Sequence, residues 1–131
     1  MSLEDKIEKL SKVKSGLYSK DFLLTWEKSE SDLRIVLEVA EILREMRSQN
    51  ISPRVFDSGL AISNFRDNST RTRFSFASAS NLLGLAVQDL DEEKSQIAHG
   101  ETVRETANMI SFMSDFIGIR DDIFLGEGNK Y

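Results

Sequence analysis

Ser69-Thr70-Arg71-Thr72-Arg73 sets three hydroxyls and two guanidinium groups in five consecutive positions, a density of donors suited to an oxyanion. Arg71 offers a planar fork that matches two phosphate oxygens at once, and Ser69, Thr70 and Thr72 can each donate to another. A hydrogen bond to a charged group contributes about 1.5 to 3 kcal/mol net, so several converging on a small dianion would hold it without a magnesium ion. The same residue types have a plainer use: a Ser or Thr ahead of a helix is often only a cap, and an arginine in a first turn is often only solvated. Ser95-Gln96, His99 and Arg120 are further polar or basic residues beside predicted strand ends.

What must position these residues can be read from periodicity. Three apolar runs, Leu60 to Phe65, Leu85 to Leu90 and Phe116 to Ile119, predict strands. Thr70 to Leu83 predicts a helix with Phe74, Ala77 and Leu82 on its inner face, and Glu101 to Ser114 predicts another on which Val103, Ala107 and Ile110 share a side. This alternation implies an α/β class: an open parallel sheet flanked by helices, Rossmann-like, with right-handed crossovers. Asn68 to Arg73 then lies where a strand hands over to a helix, at the sheet edge where ligands bind in this class and where first-turn N–H groups are unpaired. That terminus adds about 0.3 to 1 kcal/mol per favourable charge at an exposed site. Upstream, Leu3, Ile7 and Leu10 predict a short amphipathic helix reaching Val13 and ended by Gly16. Ser29 and Asp32 have capping-box spacing before a longer helix, with Leu33, Val36, Leu37, Ala40 and Leu43 turned to a core and Asn50 and Pro53 stopping it.

Composition narrows the possibilities. With 131 residues, 40% of them apolar and 30% charged, one domain is the expectation, and no apolar run approaches the roughly 20 residues that span a bilayer. The net charge of −5 disfavours a general nucleic-acid or anionic-membrane surface, so an anion has to be captured locally. Met1-Ser2-Leu3 opens without a secretory pattern and cysteine is absent, which fits a cytoplasmic protein. Gly126-Glu127-Gly128-Asn129-Lys130 lacks Walker spacing and predicts a turn, and Asp121-Asp122 predicts a solvated pair rather than a metal site.

From Phe65 onward the chain resembles the N-terminal, carbamoyl-phosphate-binding domain of the aspartate and ornithine carbamoyltransferases. Phe65-Arg66-Asp67-Asn68-Ser69-Thr70-Arg71-Thr72-Arg73 is similar to the family's Phe-x-x-x-Ser-Thr-Arg-Thr-Arg signature, and Ser95-Gln96-Ile97-Ala98-His99 to the ornithine branch's Ser-Gln-Ile-Gly-His. Lys20-Asp21-Phe22-Leu23 also fits, and Gly100 to Met109 is most similar to a bacterial, YgeW-like branch whose acceptor no motif fixes. The resemblance implies that Ser69, Thr70, Arg71 and Thr72 hold the phosphate, and that Thr72 and Arg120 also reach the carbamoyl group. Arg71, Thr72 and Arg120 would then be the catalytic residues, acting without metal or cofactor. Gln96 would enter a neighbouring subunit's site, which requires a homotrimer, and His99 stands where the aspartate branch has a lysine, so it is a further candidate for phosphate or else a structural loop residue.

The resemblance also implies a second, acceptor-binding domain with a His-Pro-x-Gln-type motif, and the 131 residues contain neither. The expectation is therefore an N-terminal domain spanning the whole chain, inactive alone, from a carbamoyltransferase acting on the amine of a small amino-acid-like acceptor. A module that binds a phosphorylated small molecule for regulation stays open beside it, as does an unrelated domain in which the Ser-Thr-Arg run only caps a helix.

Overall fold

Leu60–Phe65 is the central strand, β1, of a three-stranded parallel sheet, and its near-continuous apolar run reflects a strand covered on both faces. In this computed structural model, which describes residues 1–66, 69–91 and 99–120, β2 (Ala86–Asp89) and β3 (Phe116–Arg120) flank it in the order β2-β1-β3. β2 is shorter than the apolar run suggests, and β3 is extended by Arg120, whose carbonyl accepts from the Arg66 N–H at 3.1 Å. The chain leaves β1 for β2 through α3 (Thr70–Leu83) and returns across β1 to β3 through α4 (Val103–Met113). Right-handed crossovers taken in opposite directions place α3 and α4 on opposite faces of the sheet. The expected α/β class and its alternation of strand and helix are thus observed.

Register assigns the faces. Ala61 pairs with Phe116, Ser63 with Gly118 and with Asp89, and Phe65 with Arg120, so these side chains share one face. Phe76 of α3 covers that face, edge-on to Phe65 at 5.3 Å and stacked on Phe116 at 5.7 Å between ring centroids. Gly118 makes room for it: a Cβ there would lie 2.5 Å from the Phe76 ring. The expected inner face of α3 needs correction, because Phe74 is 73% exposed while Ser80 is buried. Arg73, Phe76, Ser80 and Leu83 recur at helical spacing on the sheet side, and the small or charged members of that set hide the stripe from a hydropathy reading. α3 closes on Gly84, φ 104°, with the Leu85 N–H returning to the Ser80 carbonyl at 2.9 Å. α4 opens with a capping box in which Thr102 and Glu105 satisfy each other's backbone N–H groups, and the Thr102 N–H, then its hydroxyl, hold the Glu105 carboxyl below its ordinary pKa.

Residues Met1–Pro53 form one compact unit and residues from Arg54 onward another. In the first, α1 (Leu3–Ser11) pairs with α2 (Glu30–Ser48). α1 ends two residues before Val13, and the buried large apolar side chains of this unit are Leu3 and Ile42. Ion pairs Lys6–Glu45 and Lys9–Glu38 join the two helices. The expected core stripe of α2 is therefore rotated: Leu37 is 66% exposed, because α1 docks on the side marked by Glu38, Ile42 and Glu45. Asn50, φ 58°, supplies the left-handed stop, with Ile51 N–H on the Met46 carbonyl at 2.8 Å.

The Ser29 cap of α2 has a second function. Its hydroxyl accepts from the Asp32 N–H at 3.1 Å and donates to the Asp32 carboxylate at 2.7 Å, which also accepts from the Gly16 N–H at 2.9 Å. The Ser29 hydroxyl, then the Gly16 N–H, hold the Asp32 carboxyl below its ordinary pKa. A depressed folded-state value adds stability that is complete above the unfolded value and is lost as the pH falls through the folded one. Asp32→Asn should therefore be less stable than the parent near neutrality, with the gap closing in acid. Urea unfolding followed across that pH range checks this, and a pH-independent gap would refute it.

Candidate functional site

Ser69, the N-cap of α3, comes four residues after the last residue of β1, and Arg120 ends the neighbouring strand β3. β1 and β3 are adjacent strands of an open parallel sheet, and ligands in sheets of this class bind in the crevice beyond the carboxyl ends of the strands. Arg120 reaches across it. One terminal guanidinium nitrogen donates to the Thr72 hydroxyl at 2.6 Å and the Ser69 hydroxyl at 3.0 Å, and the two hydroxyls lie 2.7 Å apart. The Ser69 oxygen also accepts from the Thr72 N–H at 3.4 Å.

The proton count within this triad matters. Both hydroxyl oxygens accept from Arg120, and the Ser69–Thr72 contact uses only one of their two hydrogens. One O–H is thus left to donate outward, next to a guanidinium and to the unpaired N–H groups of the first helical turn. Ser69 and Thr72 are half-buried, whereas Thr70, Arg71 and Arg120 are exposed. Arg71 makes no hydrogen bond or ion pair with the described residues, so its five donors face solvent. The arrangement presents positive charge, hydroxyl donors and backbone donors to one small volume, and what it can do is bind a compact oxyanion and stabilise negative charge developing beside it.

Arg73, the last residue of the signature run, is used differently. Its guanidinium pairs with the Asp89 carboxylate at the end of β2 and donates to the Phe65 carbonyl at the end of β1. The other Asp89 oxygen accepts from the buried Ser63 hydroxyl at 2.6 Å. Sequence reasoning passed over Ser63 and Asp89. A serine inside an apolar strand and an acid ending the next were the available signals. His99 is exposed beside Gly100, which has φ 99°, and neither is placed against the Arg120 cluster by any hydrogen bond among the described residues. Ser95, Gln96, Asp121, Asp122 and the stretch 126–130 lie outside the described residues. No helix among the described residues is long and apolar enough to cross a membrane, and no metal-ligating cluster occurs among them.

Residues 20–129 match the family described as aspartate/ornithine carbamoyltransferase, carbamoyl-P binding domain. The chain is 65% identical over 130 residues to "Putative carbamoyltransferase YgeW" of Escherichia coli (strain K12), covering 99% of this chain and 33% of that protein. It is 36% identical over 106 residues to an ornithine carbamoyltransferase of Bacillus subtilis (strain 168), covering 81% of this chain and 32% of that one. Among solved structures, an aspartate transcarbamoylase of Trypanosoma cruzi in complex with aspartate and phosphate superimposes with a TM-score of 0.70 at 24% identity, over 81% of this chain and 34% of that one, a likeness of fold. The chain spans about a third of the length of these relatives.

Proposed function

The chain belongs to the aspartate/ornithine carbamoyltransferase family, in the part that is its carbamoyl-phosphate binding domain, and from that premise we propose that the Ser69–Thr72 turn and Arg120 bind carbamoyl phosphate for transfer by the full-length protein. The observation that carries this reading is the bridge from Arg120 to the Ser69 and Thr72 hydroxyls beyond the carboxyl ends of β1 and β3. Ser69, Thr70, Arg71 and Thr72 take the phosphate oxygens, and Thr72 and Arg120 also reach the carbamoyl oxygen. In the transfer, a neutral amine of a small amino-acid-like acceptor attacks the carbamoyl carbon. The new C–N bond forms, the bond from the carbamoyl carbon to the bridging oxygen breaks, and phosphate leaves with the bonding pair and takes up the proton that the amine loses. Negative charge grows on the carbamoyl oxygen and on the leaving phosphate, and fixed donors at both places lower the barrier without reorganising. Gln96 completes the site from a neighbouring subunit of a cytoplasmic homotrimer, and the acceptor is held by a second domain.

Calorimetric titration of carbamoyl phosphate into the chain, with inorganic phosphate beside it, tests the binding step. Saturable heat with both anions, stronger for carbamoyl phosphate, is the expected result. A folded chain that binds neither would overturn the reading.

A further inference from the structure

Three elements converge on a carboxylate that makes no hydrogen bond to Ser69, Thr72 or Arg120. Asp89 ends β2, Ser63 lies at its register partner in the middle of β1, and Arg73 stands in the first turn of α3, one residue after Thr72. Ser63 is 3% exposed, so its hydroxyl needs a partner, and one Asp89 oxygen provides it. The other oxygen takes the Arg73 guanidinium, which also donates to the Phe65 carbonyl, the last carbonyl of β1. A planar guanidinium can serve two acceptors in fixed directions, which an ammonium on a flexible stem cannot. The helix start is thereby tied to the end of one strand and to the end of the next.

That tie fixes where Thr72 sits relative to Arg120, which belongs to a third strand. The hydroxyl–guanidinium distances of 2.6 and 3.0 Å exist only while the first turn of α3 keeps its place. We propose that Arg73 and Asp89 are positioning residues for the anion site: Asp89 holds Arg73, Arg73 holds the α3 terminus, and neither contacts the bound anion. This rests on the proposed carbamoyl phosphate site and adds to it a reason why an acid stands so close to an anion-binding turn. An isolated carboxylate there would repel the ligand; one committed to Arg73 and Ser63 organises the donors instead.

Coulomb's law and positioning predict opposite signs for one substitution. Asp89→Asn removes a negative charge near the site while keeping the shape, so electrostatics alone would tighten anion binding. The positioning role predicts at least tenfold weaker binding of carbamoyl phosphate and of inorganic phosphate. Calorimetry well below each variant's unfolding midpoint reads the difference. Arg73→Lys is the companion variant, since it keeps the charge but cannot span Asp89 and Phe65 together. It too should bind at least tenfold more weakly, and it carries the test if Asp89→Asn does not fold. Equal or tighter binding in a folded Asp89→Asn, or unchanged affinity in Arg73→Lys, overturns the positioning role while leaving the site itself standing. A folded parent chain that binds neither anion removes the site and this inference with it.

Discussion

Arg71→Ala should weaken carbamoyl phosphate binding by two orders of magnitude or more and leave the thermal midpoint of the chain almost unmoved. Arg71 is exposed and makes no hydrogen bond or ion pair with the described residues, so its loss removes no described contact of the folded state. Surface substitutions of that kind stay within about 0.5 kcal/mol of neutral. A bidentate pair with phosphate is another matter: two charge-assisted bonds at about 1.5 kcal/mol each already amount to more than a hundredfold in affinity. Arg120 is a less discriminating probe, because its guanidinium also holds Ser69 and Thr72 and its removal alters the site and the local fold together. Calorimetry and thermal unfolding of Arg71→Ala, run in parallel, separate the two effects. Retained affinity would mean that the anion is not held at the α3 terminus, and a large fall in midpoint would mean that Arg71 supports the fold.

The architecture was legible because two periodicities alternate cleanly from Leu60 onward, and because the strand-to-helix junction is marked by a hydroxyl cap before a helix that ends on Gly84. The alternation puts successive strand ends at one edge, but that Arg120 joins Thr72 there was what the family resemblance implied. Side-chain direction was less legible. Phe74 and Phe76 are both aromatic and two positions apart, and only the close approach allowed by Gly118 selects Phe76 for the sheet. Arg73 is the fifth of five consecutive donor residues by its place in the run. The register that sets Asp89 against Ser63 gives it protein partners, and register is a pairing between distant segments that no local pattern states. The α2 stripe failed for a related reason: Leu37 and Ile42 are equally apolar, and α1 docks on the Ile42 side, where Lys6 and Lys9 pair with Glu45 and Glu38.

Gly84→Ala should cost about 2 to 5 kcal/mol, a large share of the roughly 5 to 15 kcal/mol of a typical domain. Two independent effects add at this position. The backbone has φ 104°, where an L side chain is strained by about 1 to 2 kcal/mol. A Cβ would also lie 2.0 Å from the Phe56 carbonyl oxygen, a backbone atom that cannot rotate away. Phe56 is held there because the Leu83 carbonyl at the end of α3 accepts from both the Val55 and Phe56 N–H groups, at 3.1 and 3.0 Å. Either α3 or the 54–57 segment must shift, an overpacking cost of about 1 to 3 kcal/mol. Gly100 separates the terms, since its φ is 99° but a Cβ there meets nothing within 4 Å, so Gly100→Ala carries the backbone strain alone. Thermal unfolding should place the Gly84→Ala midpoint roughly 6 to 20 °C below the parent, with Gly100→Ala falling less far. Because α3 carries Gly84 at one end and Ser69 to Thr72 at the other, a shift taken up by the helix also moves the hydroxyls off Arg120. Weakened phosphate binding in the still-folded Gly84→Ala would show that α3 moves, and unchanged affinity would show that the 54–57 segment gives way instead.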